Sequence, residues 1–586
     1  GGGGSPDAAG PLMAYPYQAI SLPMVDLSGT FRHASKGQNS DPQLSLGLGG
    51  DLLWMSANVF VTRDSQGSFR SSRATLYRDD PDGRLLGPLH ARHISLGDLR
   101  HAASLELAGG LPQGRGIGID NLPLDFRTRF ATRVFRGPLP MGWSVELFRN
   151  NGLVGFQQAR PDATYEFPPV DLTFGINTFK LVFHGPHGER REEQIRLDIG
   201  QDLPEPGKFY YRMAAIKPQL MLDLDPGAVR VTDRPAYLAE VEAGLSTRFA
   251  AHAGLMRMEF SNGPRSYGIA GLRTVLPWAS VDITGAASVF DPLDGSASEK
   301  GKAGQITFRT GLGYSTLQAR HAEYRGGYLP VQDVTTGFQG TLLRDDSLTL
   351  GGSTFLWGRA FNGAYTFMRQ GYDTGRRESQ RLSLGTTFGR VNLSQSIGST
   401  VDSTSPRTVR SMDAQLLASS FFGSYGLQTE INGRKLQQDS FRLENYAINL
   451  SRTFDSGMAL QAVLRGSFRD SSGGPSLTAS LVQQKGRWGW GLDGAYSKSG
   501  GVSVGVRLQV SLGRDSRSRK WFTDAQPLSN MGAVSAQAFF DANGNGRRDP
   551  GEASLDEPRF KVGDSNRVEI RADAKTALYT GIGAGR

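Results

Sequence analysis

The sequence predicts an all-β chain built around a large transmembrane β-barrel of about 24 antiparallel strands. Three observations predict it. Short stretches alternate apolar and polar residues through most of the 586 residues and end at Gly, Asp, Ser or Asn turns. These stretches are long enough to cross a bilayer and follow one another as hairpins. No run of about 18 apolar residues occurs, so nothing reads as a transmembrane helix. The clearest stretch sets Val502, Val504, Val506, Leu508, Val510 and Leu512 against Ser503, Gly505, Arg507, Gln509 and Ser511. Successive side chains of a strand point to opposite faces, so this segment has one greasy face and one wet face.

Composition agrees. Hydrophobic residues are only 38%, but a barrel strand offers lipid just half its residues. The 76 glycines suit tight turns and bent strands. The absence of cysteine excludes disulfides and thiolate metal sites. Net charge is +9, yet Lys and Arg are spread through the alternating polar positions. No basic helix or nucleic-acid module appears, so nucleic acid is not read as a partner. A polar lumen and charged rims account for the charge.

In chain order, residues 1–12 open with Gly1-Gly2-Gly3-Gly4-Ser5 and read as a linker or processed N-terminus. Residues 13–132 carry six strands, near Ala19–Arg32, Gln43–Leu52, Leu53–Thr62, Phe69–Tyr77, Leu89–Leu96 and Gly116–Arg127. Residues 133–203 are denser in aromatics and read as a compact β-sandwich. Within it Trp143–Phe148 is a strand, Asn150-Asn151-Gly152 a hairpin turn and Leu153–Gln157 the return. Trp143, Val145, Leu147, Phe179, Leu181 and Phe183 are its expected core. Residues 204–513 hold about eighteen more strands, among them Leu382–Thr386, Leu460–Phe468 and Trp488–Tyr496. Trp488, Trp490 and Tyr496 share a face and suit an interfacial girdle or ordinary cross-strand packing. A charged linker, 514–532, leads to a partial β-sandwich at 533–586 that starts with the strand Val534–Phe540.

The folded insert between the sixth and seventh strands returns to the rim it left. A barrel of that size leaks unless something fills it, which suits a plug; the alternative is an external loop domain. A second motif is Asp541-Ala542-Asn543-Gly544-Asn545-Gly546-Arg547-Arg548-Asp549-Pro550-Gly551-Glu552. Asp541, Asn543, Asn545, Asp549 and Glu552, with Arg547 through its carbonyl, have the spacing of a calcium loop. The alternative is a metal-free Asx-rich turn. No other cofactor is implied. The eight histidines show no triad or metal spacing, and Gly114–Gly118 opens no helix within a βαβ unit. No enzyme is read here.

The stretch Gly137-Pro138-Leu139-Pro140-Met141-Gly142-Trp143-Ser144-Val145-Glu146-Leu147-Phe148-Arg149-Asn150 resembles the opening of the plug domain of outer-membrane fimbrial ushers, those of the alternate, coli-surface-antigen-type branch above all. Tyr77–Leu89 with Gly97-Asp98, Gly114-Arg115-Gly116 with Asn121–Leu124, Phe174–Asn177, Gly185–Glu192 and Pro527-Leu528-Ser529 also fit. The resemblance runs from Met13 to Arg586 as an ordered set of motifs. It implies a pore in a Gram-negative outer membrane that takes pilus subunits from a periplasmic chaperone, joins them by strand donation and secretes the fibre. Against the family pattern, no N-terminal periplasmic domain is read ahead of Met13, and the C-terminal region is short. The competing readings are a large porin-like channel with an inserted domain and a soluble multi-sandwich surface adhesin.

Overall fold

A computed structural model describes residues 17–583, leaving out internal segments of which 123–131, 219–233, 332–339 and 557–568 are the longest. Twenty-four antiparallel strands form one closed wall. The first six are Met24–Ala34, Gln43–Leu52, Met55–Arg63, Phe69–Asp79, His93–Leu99 and Gly114–Asp120. The remainder run from Phe209–Pro218 to Gly501–Arg514. Across the insert, Gly114–Asp120 pairs with Phe209–Pro218 in register from Arg212↔Asp120 to Pro218↔Gly114. The last strand closes on the first, from Val25↔Leu512 to Ala34↔Ser503.

Register fixes the two faces. Val502, Val504, Val506 and Leu508 are exposed on the last strand, while Gly505 and Ser511 on its alternate face are buried. The exposed apolar face continues through Leu382, Leu384, Leu460, Leu477 and Leu492. Much of the inner face is polar and pairs with itself: Asn449 Nδ2 donates to Gln428 Oε1 at 2.8 Å, and Arg507 meets Asp493 at 2.9 Å. Apolar-out and polar-in is the pattern of a membrane barrel. Among the described residues no helix is long and apolar enough to cross a membrane. Exposed aromatics gather near both rims. Phe249, Trp278, Phe388, Phe422, Tyr425 and Trp488 lie toward the end where the first strand begins. Tyr237, Phe468 and Tyr496 lie toward the other end, so Trp488 and Tyr496 belong to opposite rims.

Several strand limits differ from expectation for local reasons. Leu53 and Trp54 form the turn rather than opening a strand, with φ of 54° and 57°. Two successive left-handed residues make the tight hairpin, at positions where Asn-Gly is usual, so composition does not mark it. The fifth strand starts at His93 because Gly87–Leu89 forms a 3-10 turn and Leu85 bridges to Ala91. The sixth stops at Asp120 because Asn121 serves the next strand: its Nδ2 donates to Phe209 O at 2.9 Å and its Oδ1 accepts from Tyr211 N at 2.7 Å.

Beyond the wall, Trp521–Asp524 pairs with the end of the last strand. Met531–Ala536, Glu569–Asp573 and Thr576–Gly583 then form a three-stranded sheet. Leu528 is buried with Phe522 and Leu578 against Met24. The backbone N–H groups of Leu528 and Ser529 donate to Asp26 Oδ1 and Oδ2, each at 2.8 Å. Ser529 lies so close to the wall that a Cβ on Gly49 would overlap its carbonyl. Two bonds to one carboxylate stabilise by roughly 1.5–3 kcal/mol each. Asp26→Ala therefore frees the 527–529 segment and raises amide exchange at Leu528 and Ser529, while exchange in the wall strands stays unchanged. Unchanged exchange would show that the carboxylate does not hold this segment.

Candidate functional site

The insert forms a four-stranded antiparallel sheet from Ser144–Arg149, Gly152–Gln158, Gly175–His184 and Arg190–Ile199. Two short ladders join Arg136–Pro138 to Thr164–Glu166 and Thr132–Arg133 to Val170–Asp171. Alternation gives the sheet two faces. Val145, Leu147, Phe179, Leu181 and Phe183 lie on one of them, buried together with Phe135, Leu139, Tyr165 and Phe167. Their rings pack closely: the centroids of Phe135 and Phe179 are 4.5 Å apart. Trp143 lies outside the described residues.

The other face of the same sheet meets the barrel. Glu146 and Phe148 alternate with the core residues on Ser144–Arg149, and Val182 stands opposite Glu146. Phe148 and Val182 are buried against Leu417, with Phe156 beside them. Leu417 and Ser419 alternate with the exposed Leu416, so they point into the lumen. Ser419 Oγ donates to Glu146 Oε1, and both residues are buried. Strand Gly152–Gln158 lies along Arg359–Tyr372, Gly375–Phe388 and Val391–Asp402 of the wall. The insert thus sits inside the barrel. It returns to the wall through Pro204–Gly207, where Gly207 N donates to Gly244 O at 2.8 Å.

A second element enters the lumen from the other end. The short hairpin Ser104–Leu105 and Gly109–Gly110, between the fifth and sixth wall strands, folds inward. Leu105, Leu107, Ala108 and Leu111 pack on Leu238, Met256, Met258 and Tyr267. Val331 N, from another loop, donates to Ala108 O at 2.8 Å. At the hairpin tip Glu106 joins a polar cluster on the wall. Thr284 Oγ1 lies 3.0 Å from Glu106 Oε2, 2.9 Å from Asp282 Oδ1 and 3.1 Å from His252 Nε2. A hydroxyl has one proton, so it serves one carboxylate at a time. Arg273 Nε meets Asp282 at 2.8 Å, and its Nη1 lies 3.4 Å from Glu242. Glu106, His252 and Asp282 are close enough to share an ion, but Arg273 already neutralises Asp282.

In the C-terminal loop, Asn545 and Arg547 lie outside the described residues. Glu552 accepts from Ala542 N and Asp549 N, each at 3.0 Å, and Asn543 Nδ2 donates to Asp549 Oδ2 at 2.7 Å. Asp541 begins this loop beside Ala542.

The inward hairpin and its cluster escape a reading of the sequence, since Glu106, His252 and Asp282 stand far apart in the chain. The one local signal is Leu105, Leu107 and Ala108 around Glu106, apolar residues in a connection between strands.

No family model and no curated protein sequence matches the chain. Solved structures do. A chain of the E. coli P pilus tip assembly intermediate PapC-PapD-PapK-PapG is similar over 90% of this chain and 65% of its own, with 14% identity and a TM-score of 0.55. The translocation pore of the P pilus usher PapC is similar over 83% of this chain and 98% of its own, with 16% identity and a TM-score of 0.45. The FrpB iron transporter from Neisseria meningitidis covers 83% and 82%, with 8% identity and a TM-score of 0.35. The likeness to the assembly intermediate is one of fold, a large antiparallel barrel.

Truncating a buried Phe to Ala costs about 3–5 kcal/mol in a packed site. Phe148→Ala therefore loosens the insert from the wall and raises amide exchange along Ser144–Arg149, while exchange in the wall strands stays unchanged. Equal exchange in both proteins would mean that Phe148 does not hold the insert.

Proposed function

We propose that this chain is an usher-type pore of a Gram-negative outer membrane. It takes pilus subunits from a periplasmic chaperone and passes the growing fibre through a lumen that residues 133–203 plug at rest. The observation that carries this reading is the insert packed against the inner wall of a closed barrel of 24 strands. The ordered motifs at Gly137–Asn150 and Pro527–Ser529 support it. So does the fold likeness to a chain of an assembly named for PapC, PapD, PapK and PapG. Proton transfer and nucleophilic attack have no part in this function.

In this reading the resting state is held by two kinds of contact. One is the buried Ser419–Glu146 hydrogen bond, and the other is the apolar patch of Phe148, Val182 and Leu417. Together they amount to a few kcal/mol, the scale of one charge-assisted bond and one small apolar contact. Opening then needs a partner that binds the open state more tightly. Moving a population from 1:99 to 99:1 takes about 5.5 kcal/mol of differential affinity. A chaperone–subunit complex docking on the termini-bearing rim is such a partner.

The chain has no native cysteine, so a bridge can be placed without side reactions. In E146C/S419C, closing the pair with a short bismaleimide blocks subunit export, while either single variant exports normally. Normal export by the fully bridged protein would reject plug release. We also propose that the 541–552 loop takes calcium, which would stiffen the C-terminal sheet. Calcium then raises the melting temperature of that sheet relative to excess chelator, and an identical melt would remove the site.

A further inference from the structure

We infer that the outer face of the wall around Lys300, Lys302 and Arg325 binds the phosphate groups of a phosphorylated glycolipid in the outer leaflet. This rests on the membrane-barrel reading above. The patch lies at the end opposite the chain termini. There several strand connections are long, as from Phe290 to Glu299 and from Arg325 to Leu342, although those from Phe260 to Gly263 and from Tyr372 to Gly375 are tight. At the other end, the insert and the connection from Asp79 to His93 apart, they are short, as from Leu312 to Ser315 and from Leu356 to Arg359. Long loops mark the outward side of such barrels and short turns the periplasmic side.

Register places the patch on the lipid-facing side. Lys300 and Lys302 share their strand face with Ile306, which is 44% exposed. Lys302 stands directly opposite Arg325. Like charges in that position repel, and Glu323 offsets only Arg325 of the two. The ladder continues outward with Glu323 opposite Arg344, Asp346 opposite Arg369 and Arg369 opposite Glu378.

The carboxylates do not balance the cations. Six cations, Lys300, Lys302, Arg325, Arg344, Arg369 and Arg376, stand against three carboxylates, Glu323, Asp346 and Glu378. Each carboxylate already has two basic neighbours. Glu323 lies 2.9 Å from Arg325 and 3.7 Å from His321. Asp346 lies 2.6 Å from His321 and 2.5 Å from Arg344. Glu378 lies 3.4 Å from Arg369 and 3.7 Å from Arg376. Lys300 and Lys302 are exposed and make no ion pair with any described residue.

Below the charges the face turns apolar. Ile306 is four residues from Lys302, roughly 13 Å along the strand. Leu350 and Leu382, each four residues below Asp346 and Glu378 on their own strands, are 41% and 45% exposed. Cations above and a greasy wall below match a lipid with phosphates on its sugar headgroup and acyl chains beneath. Arginine holds phosphate bidentately, and each cation at an anionic lipid surface contributes measurably to binding.

The test titrates the full chain in detergent with hexa-acyl diphosphoryl lipid A and with its dephosphorylated form, read by native mass spectrometry. Diphosphoryl lipid A should bind K302Q/R325Q about tenfold or more weakly than the unaltered protein. The dephosphorylated lipid should bind both proteins alike. R452Q, which removes a basic residue from the outward face near the other rim, should bind like the unaltered protein. Equal affinity of the unaltered protein and K302Q/R325Q for diphosphoryl lipid A would overturn the inference. Both proteins are also tested for insertion into planar bilayers. Insertion with charge-independent lipid binding removes this inference alone, whereas failure to insert removes the barrel reading and the inference with it.

Discussion

Closure of the wall is the constraint on which everything else depends. Lipid cannot hydrogen-bond a peptide group, so a spanning sheet with a free edge is untenable. The ten-residue ladder between the first and last strands, Val25↔Leu512 through Ala34↔Ser503, removes both edges at once. A ring of this many strands spaced about 4.8 Å apart, tilted as barrel strands are, is roughly 45 Å across. That width sets the remaining problem, because side chains alone cannot fill it.

The chain places two of its own segments in that space, positioned by the same closure. The insert leaves after Asp120 and returns at Phe209, and those two strands pair directly, so its ends are held side by side at one rim. Its sheet then divides labour by alternation. One face makes an independent core through Val145, Leu147, Leu181 and Phe183, while the other offers Glu146 and Phe148 to the wall. The inward hairpin enters from the opposite rim and ties itself to the wall by Glu106 and by buried leucines. A domain with its own core can leave the wall without unfolding, as the proposed opening requires.

Much of the barrel was legible in the sequence because its rule is local. Lipid demands one apolar face, so period-two alternation marks the strands, six before the insert and eighteen after it. Turns made by unusual residues were not legible: Leu53 and Trp54 carry no turn signal, and only the geometry of their neighbours places them there. In the insert, Val145 and Leu147 stood out by their spacing. Glu146 and Phe148, which touch the wall, did not, since their importance depends on Leu417 and Ser419, hundreds of residues away in the chain. The cluster of Glu106, His252 and Asp282 was hidden for the same reason. Net charge read as a bulk value also concealed the Lys302–Arg325 step, which appears only once the register is known.

Filling of an otherwise open lumen by residues 133–203 is tested most directly by single-channel conductance in planar bilayers, comparing the intact chain with one lacking Gly137–Asp198. A plugged barrel predicts low conductance for the intact chain and large, stable openings once the segment is removed. Equal and substantial conductance from both would contradict it and favour a porin-like channel whose insert does not close the pore.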